Sequence, residues 1–143
     1  MLLSYPLVIE TDENGTFIGQ FSDVPEAMTA GIDESDLLSR AQDALVVALT
    51  GYMDDKRNIP SPSRRIKGQR MIPLPSQVAM KLVIYQGMRD QGLTQLSLGK
   101  RMGVADRQVR RILDLDHNTS LSQLVRALKC LGKEVVIDIH DAS

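Results

Sequence analysis

The chain has 143 residues, enough for one large or two small domains, each able to bury a core of its own. Its net charge is −1, but residues 1–62 carry three basic and eleven acidic residues, a balance of −8, whereas residues 63–143 carry fourteen basic and seven acidic ones, a balance of +7. This asymmetry predicts two domains with different partners, a polyanion for the second and a basic partner for the first. The single cysteine excludes a disulfide framework and a thiolate metal site.

Two further classes of protein are disfavoured by composition. Two Phe, three Tyr and no Trp argue against a single-stranded nucleic-acid platform built on base stacking. No apolar stretch approaches the length of a membrane span, and the N-terminus lacks a charged leader followed by a long apolar run. The sequence therefore predicts a cytoplasmic protein that has no contact with the membrane.

In chain order, the first predicted element is a β-hairpin. Strands over residues 3–10 and 16–21 flank the turn Asp12–Gly15, in which Asn-Gly is a strong hairpin signal. Pro6 has no N–H for a ladder, so the first strand is expected to lie at an edge there or to have its N–H side free.

The elements that follow complete a predicted β-β-β-α-β domain. After a proline-containing loop, a short third strand is expected over Met28–Ile32. Asp33 is placed to cap a helix whose apolar stripe ends at Tyr52 about four turns later. The segment 58–63 is a proline-rich break, and a last short strand is expected over Arg70–Leu74.

The stretch Gln95–Ile112 has the apolar spacing of a helix-turn-helix. Thr94 is a suitable N-cap for its first helix, and Ala105 or Asp106 starts its second, with Asp106 offering the better capping oxygen. Gly103 fits the turn, where a positive φ is needed, and Gly99 lies where the two helices would cross. The inward apolar positions are Leu98, Met102, Val104, Val109 and Ile112.

The second helix of this stretch has the side chains of a major-groove reader. Arg donates twice to guanine, and Gln both donates to and accepts from adenine. A solvated charged helix face is the alternative interpretation, but the apolar, glycine and capping positions all agree with the helix-turn-helix. The predicted DNA-binding residues are Thr94, Gln95, Asp106, Arg107, Gln108, Arg110 and Arg111.

A supporting helix is expected before this stretch, from Ser76 to about Asp90, with Val78, Leu82 and Tyr85 on its inner face. After it, Ser120 or Ser122 would cap a helix that ends at Gly132. The last segment alternates like a β-strand and has no neighbouring strand in its own domain. It is therefore predicted to pair with its copy in a homodimer, through Val135, Val136, Ile137 and Ile139, which would place two recognition helices about 34 Å apart.

The order of these pieces resembles the HicB antitoxins. The likeness rests on the edge hairpin, the segment FSDVPEAMTAGI, the helix start DESDLLSRAQDAL and the PSPS tail. The helix-turn-helix followed by LGKEVVI resembles the subgroup that has a Cro- or lambda-repressor-like DNA-binding domain. Two departures are Ala27-Met28, where many members have a glycine and a small residue, and Gly99, where alanine is usual.

The resemblance implies an antitoxin that is not an enzyme and needs no cofactor or metal. Its N-terminal domain would be a partial RNase H-like fold that masks a small basic HicA-type ribonuclease toxin, and its C-terminal domain would repress the operon by binding double-stranded operator DNA as a homodimer or higher oligomer. The implied α+β division is 1–62 for toxin binding, 63–75 for a linker with the last strand, and 76–143 for DNA binding and dimerisation. Asp23, Pro25 and Glu26 are candidates for toxin contacts because an acidic loop suits a basic partner.

Two other functions are compatible with the same elements. A metal-dependent nuclease would need several converging carboxylates, and the candidates by residue type are Glu10, Asp12, Asp23, Asp54 and Asp55. A one-component repressor could sense a small molecule with its first domain, although few aromatic side chains are present there to line an apolar pocket. His117 and His140 have no sequence neighbours that suggest a ligand set or a triad.

Overall fold

The computed structural model describes residues 3–142. The chain divides into two compact units, Met1–Ala79 and Met80–Ser143, called here the first and second units. One antiparallel four-stranded sheet and five helices make the fold α+β, as the sequence predicts. The elements are β1 Ser4–Thr11, β2 Phe17–Phe21, β3 Val24–Gly31, α1 Glu34–Asp54, β4 Arg70–Pro73, α2 Ser76–Gln91, α3 Gln95–Met102, α4 Asp106–Leu113 and α5 Leu121–Cys130.

The predicted hairpin is confirmed. The Asp12 carboxylate accepts hydrogen bonds from the backbone N–H groups of Asn14 at 2.9 Å and Thr16 at 2.8 Å. Gly15 follows with φ +80°, a conformation that glycine adopts at no steric cost. These local bonds hold β1 and β2 in register, with Thr11 opposite Phe17.

Pro6 and Pro25 lie in the sheet at positions where a missing N–H does little harm. The strand order is β3-β2-β1-β4, so β1 is a central strand overall, but Pro6 pairs only with Met71 of β4, and the expected edge at Pro6 is found locally. Its pairing with β2 begins only at Leu7, which leaves Pro6 just outside that ladder. The third strand begins at Val24, earlier than predicted, and so includes Pro25. A proline is tolerated at this position because β3 is an edge strand and because Pro25 lies beside the register shift at Gln20/Phe21.

Helix α1 covers one face of this sheet. Asp33 caps it as predicted, accepting a hydrogen bond from Asp36 N–H at 2.8 Å. The β3–α1 connection is tight, because a Cβ at Gly31 would lie 2.5 Å from the backbone nitrogen of Leu37 in the first turn of α1. The core between helix and sheet is formed by Tyr5, Leu7, Phe21, Val24, Leu37, Ala41, Leu45 and Leu49.

In the second unit, α3 and α4 are joined by a short turn that contains Gly103. Gly103 has φ +72°, and the predicted Thr94 cap accepts a hydrogen bond from Ser97 N–H at 3.1 Å. The expected crossing at Gly99 is also found, because a Cβ there would lie 3.0 Å from the Val104 carbonyl oxygen. Asp106 is not the cap of α4. It is the first helical residue and follows Ala105, which provides no side-chain cap, so its carboxylate instead adds favourable negative charge to the first turn.

The inner face of α2 differs from the predicted one. Leu82 is buried as expected, but Ile84 and Met88 enter the core of the second unit, whereas Tyr85 is half-buried. Lys81, a charged residue, is completely buried. Ile84 and Met88 are about one turn apart, so they lie on one face of α2, and that face packs in the core of the second unit.

The remaining helix agrees with the sequence, while the described part of the last segment, which is predicted to pair with its copy in a second chain, forms no strand within the single chain. Ser120 caps α5 by accepting a hydrogen bond from Gln123 N–H at 3.3 Å, and Gly132 follows with φ +76°. Residues 133–142 form neither helix nor strand. A strand needs a hydrogen-bonding neighbour, and the second unit has no described strand with which this segment could pair.

Candidate functional sites

Helix α4 presents a row of cations on its exposed side. Arg107, Arg110 and Arg111 are exposed, while Val109 and Ile112 on the opposite side are fully buried. Arg110 is 3.5 Å from the Asp106 carboxylate one turn earlier. Within residues 3–142, the side chains of Arg107 and Arg111 form no ion pair, so both guanidinium groups are available to an anion from outside the chain.

The other predicted DNA-binding residues lie around the starts of α3 and α4. Thr94 and Gln95 are exposed at the beginning of α3. Gln108 is half-buried, and its side-chain amide donates a hydrogen bond to the Gln123 side chain of α5. Gln108 is therefore already held by a partner within the second unit, which leaves the arginines as the more accessible donors.

Lys81 was not predicted to have a role, yet its side chain bonds to the C-terminal end of α4. Its ammonium group donates hydrogen bonds to the carbonyl oxygens of Arg111 at 2.9 Å, Asp114 at 2.6 Å and His117 at 2.7 Å. Burial lowers the pKa of Lys81, and the Asp114 carboxylate acts in the opposite direction. A cation at the C-terminal carbonyls of a helix is favourable, so Lys81 fixes both the end of α4 and the following loop.

The sequence does contain one indication of this contact, a lysine at a position where the helical pattern calls for an apolar residue. Lys81 lies three residues after Val78 and three before Ile84, both of which are buried. A long cation at such a position must find partners or remain uncharged. The sequence does not say which groups those partners are.

Two of the predicted toxin-contact residues have partners within the first unit. The Asp23 carboxylate accepts hydrogen bonds from both the N–H and the hydroxyl of Ser63, at 2.7 and 2.6 Å. Glu26 accepts one from the Tyr52 hydroxyl at 2.8 Å, and that bond is the main cause of the lowered pKa of Glu26. Pro25, between them, is exposed.

These carboxylates help to fasten the proline-rich segment that leaves α1. Arg57 stacks over the Tyr52 ring at 4.0 Å and pairs with Glu26 at 3.3 Å. The Tyr5 hydroxyl donates to the Pro60 carbonyl oxygen at 2.6 Å, and burial raises the pKa of Tyr5 to about 12. Residues 57–63, called here the strap, are therefore held against the first unit by side-chain contacts and do not form a free linker.

The carboxylates considered for a nuclease are dispersed over the first unit. Asp12 serves the hairpin turn, Asp23 holds Ser63, and Asp54 and Asp55 lie at the end of α1. Across residues 3–142, no group of three or more His, Cys, Asp or Glu side chains is arranged to hold a metal ion. No described helix combines the length and the apolar character needed to cross a membrane.

The C-terminal segment predicted for dimerisation carries exposed apolar side chains. Val136 is 82% exposed, Ile137 63% and Ile139 87%. Val135 differs, because it is half-buried and packs against the core of the second unit. Such exposure of three apolar side chains within four residues is unusual for a surface that stays in contact with water.

Comparison with known proteins gives the family. A model described as "HicB_like antitoxin of bacterial toxin-antitoxin system" matches residues 4–83, more than half of the chain. The chain belongs to this HicB-like antitoxin family. Curated HicB relatives include Antitoxin HicB 2 of Photorhabdus laumondii, 35% identical over 93% of this chain and 94% of that protein. Antitoxin HicB of Escherichia coli K12 is 31% identical over 93% of this chain and 96% of that protein, and Antitoxin HicB of Pseudomonas fluorescens is 28% identical over 99% and 97%.

The match to HicB-like proteins confirms the family inferred from the sequence. The family model covers the sheet, α1 and the first part of α2. The relatives align over both units, since more than nine-tenths of the chain is covered. The role of an antitoxin in a toxin–antitoxin system is thus supported for the chain as a whole.

Proposed function

We propose that this HicB-like chain neutralises a HicA-type mRNA-cleaving toxin with its first unit and represses its own operon with its second. The first unit would be a partial RNase H-like domain without catalytic carboxylates, and α3 and α4 would form a helix-turn-helix of the lambda-repressor type. The observation that carries the proposal is the near full-length likeness to proteins named Antitoxin HicB. The acidic character of residues 1–62 supports it, because an RNA-binding toxin presents a basic surface.

DNA binding is supported by the exposed cations of α4. Its buried side anchors the helix through Val109 and Ile112, while Arg107 and Arg111 remain unpaired among the described side chains. A helix held in this way can enter a major groove and offer guanidinium donors to guanine. A homodimer formed through the segment with Val136, Ile137 and Ile139 would present two such helices to a palindromic operator.

Co-expression tests the antitoxin half of the proposal. A small basic reading frame beside this gene is expected to arrest growth when expressed alone, because it would encode the toxin. Growth should return when this chain is expressed with it, since the first unit would mask the toxin surface. Persistent arrest, despite soluble antitoxin and toxin in the same cells, would refute neutralisation.

Arg107→Ala tests the DNA-binding half. We expect operator affinity to fall by about 1–3 kcal/mol if the side chain contacts a base, while neutralisation of the toxin is retained. Fluorescence anisotropy with a labelled promoter fragment measures the affinity. Arg40→Ala, which removes the same charge from the first unit, should leave operator binding unchanged, and equal affinities for wild type and Arg107→Ala would remove Arg107 from the interface.

A further inference from the structure

The first unit contains a basic turn whose cations form no ion pairs among the described residues, although other cations of the same unit do. Arg40 pairs with Asp36, Arg57 with Glu26 and Arg70 with Glu34. By contrast, three closely spaced cations have no ion pair or hydrogen bond from their side chains to any residue in 3–142. They are Arg64, Arg65 and Lys67, and all three are exposed.

The segment that carries these cations is held at both ends. At its start, the Asp23 carboxylate binds the N–H and hydroxyl of Ser63 at 2.7 and 2.6 Å. At its end, Arg70 contacts Glu34 at 2.5 Å and pairs opposite Leu7 in the sheet. The cations are therefore presented by an anchored loop.

The loop is also ordered internally. Gln69 N–H donates to the Ile66 carbonyl oxygen at 3.0 Å, and the Gln69 side chain accepts from Ile66 N–H at 2.9 Å. Gly68 has φ +90°, which lets the chain reverse. Because the turn is already formed, a ligand that binds its cations need not spend much free energy on ordering the backbone.

From this arrangement we infer that the Arg64–Lys67 turn is a second contact to DNA, made to backbone phosphates. The inference rests on the proposed DNA binding by α4. An unpaired cluster of Arg and Lys on a fixed loop fits a regular polyanion, and phosphate contacts supply affinity without reading sequence. A basic toxin would be repelled by the same cations.

Chain connectivity favours the same duplex as the ligand. The turn and α4 belong to the same chain. Binding of the turn to a duplex that α4 already holds would therefore be intramolecular. The two contacts would divide the work, with α4 reading bases and the turn adding salt-dependent affinity.

The test compares two variants of the full chain that have the same net charge. The turn variant, Arg65→Gln/Lys67→Gln, removes one Arg and one Lys from the turn. The control variant, Arg40→Gln/Lys56→Gln, removes one Arg and one Lys from other exposed positions of the first unit. Affinity for the promoter fragment and for a scrambled duplex of equal length is measured at several salt concentrations, from low to above physiological. The slope of log K against log[salt] should become shallower by about 0.9 for each phosphate that the turn variant no longer binds.

We expect the turn variant to bind both duplexes more weakly, most markedly at low salt, with the control unchanged. Equal slopes for wild type and the turn variant would overturn this inference while leaving operator recognition by α4 intact. Equal reductions in both variants would also overturn it, because they would indicate only a general charge effect. If the wild-type chain binds neither duplex, both the proposed DNA-binding function and this inference are refuted. If the turn variant binds the promoter as well as wild type does while Arg107→Ala binds it more weakly, only this inference fails and DNA binding by α4 stands.

Discussion

Lys81→Met should lower the free energy of unfolding of the second unit by about 2–4 kcal/mol, since it removes a buried charged donor from three carbonyl oxygens. Lys81 is completely buried and bonds three carbonyl oxygens, those of Arg111, Asp114 and His117. Met fills nearly the same volume but cannot donate. The carbonyl of Arg111 keeps the N–H of Asp114 at 3.2 Å, and the carbonyl of Asp114 keeps the N–H of His117 at 3.1 Å. The destabilisation is therefore smaller than that expected if all three carbonyl oxygens were left without a donor.

Thermal unfolding followed by far-ultraviolet circular dichroism measures this effect. For a unit of this size each kcal/mol shifts Tm by roughly 4–8 °C. Lys100→Met is the matched control, because Lys100 is exposed on α3, and surface changes of this kind stay within about 0.5 kcal/mol. A Lys81→Met protein as stable as the control would show that the three contacts do not hold the end of α4.

Gly31→Ala should destabilise the first unit by about 3 kcal/mol, the upper part of the range for overpacked sites. The added Cβ would lie 2.5 Å from the backbone nitrogen of Leu37 and 2.9 Å from its Cα. Backbone atoms in the first turn of a helix cannot rotate aside as a flexible side chain can. Leu37 N–H also bonds the Asp33 carbonyl at 3.0 Å, so moving this turn strains the helix start that Asp33 caps.

Gly51→Ala provides a control with the opposite sign. Gly51 lies within α1, and a Cβ there would meet nothing within 4 Å. Replacing a helical glycine by alanine is expected to stabilise by about 1 kcal/mol. Urea denaturation of both variants should therefore move the midpoint in opposite directions, and a Gly31→Ala midpoint at or above that of wild type would contradict the tight β3–α1 approach.

The local features of the chain were predictable because their causes are local. Asp12 and Gly15 form a turn from their own neighbours, and Thr94, Asp33 and Ser120 cap helices through bonds to N–H groups three residues on. Gly103 takes a positive φ for the same kind of reason. The family likeness was also carried by short segments in a fixed order, which is why the HicB-like family could be named from the sequence.

Other features depended on contacts between distant parts of the chain. The central place of β1 follows from β4 pairing with it across more than sixty residues. Asp23 and Glu26 form bonds to Ser63 and Tyr52, so their roles in fastening the strap could not be read from the loop around Pro25.

The turns, most of the helix caps, the element order of the first unit and the charge asymmetry follow from the order of the amino acids, because each depends on neighbouring residues or on composition. Three other features required the folded chain: the burial of Lys81 under α4, the place of Asp106 inside the helix rather than at its cap, and the unpaired Arg64–Lys67 turn between two anchors. The burial of Lys81 and the anchoring of the turn depend on which distant carbonyl or carboxylate lies within about 3 Å of a side chain, and that distance is set by packing.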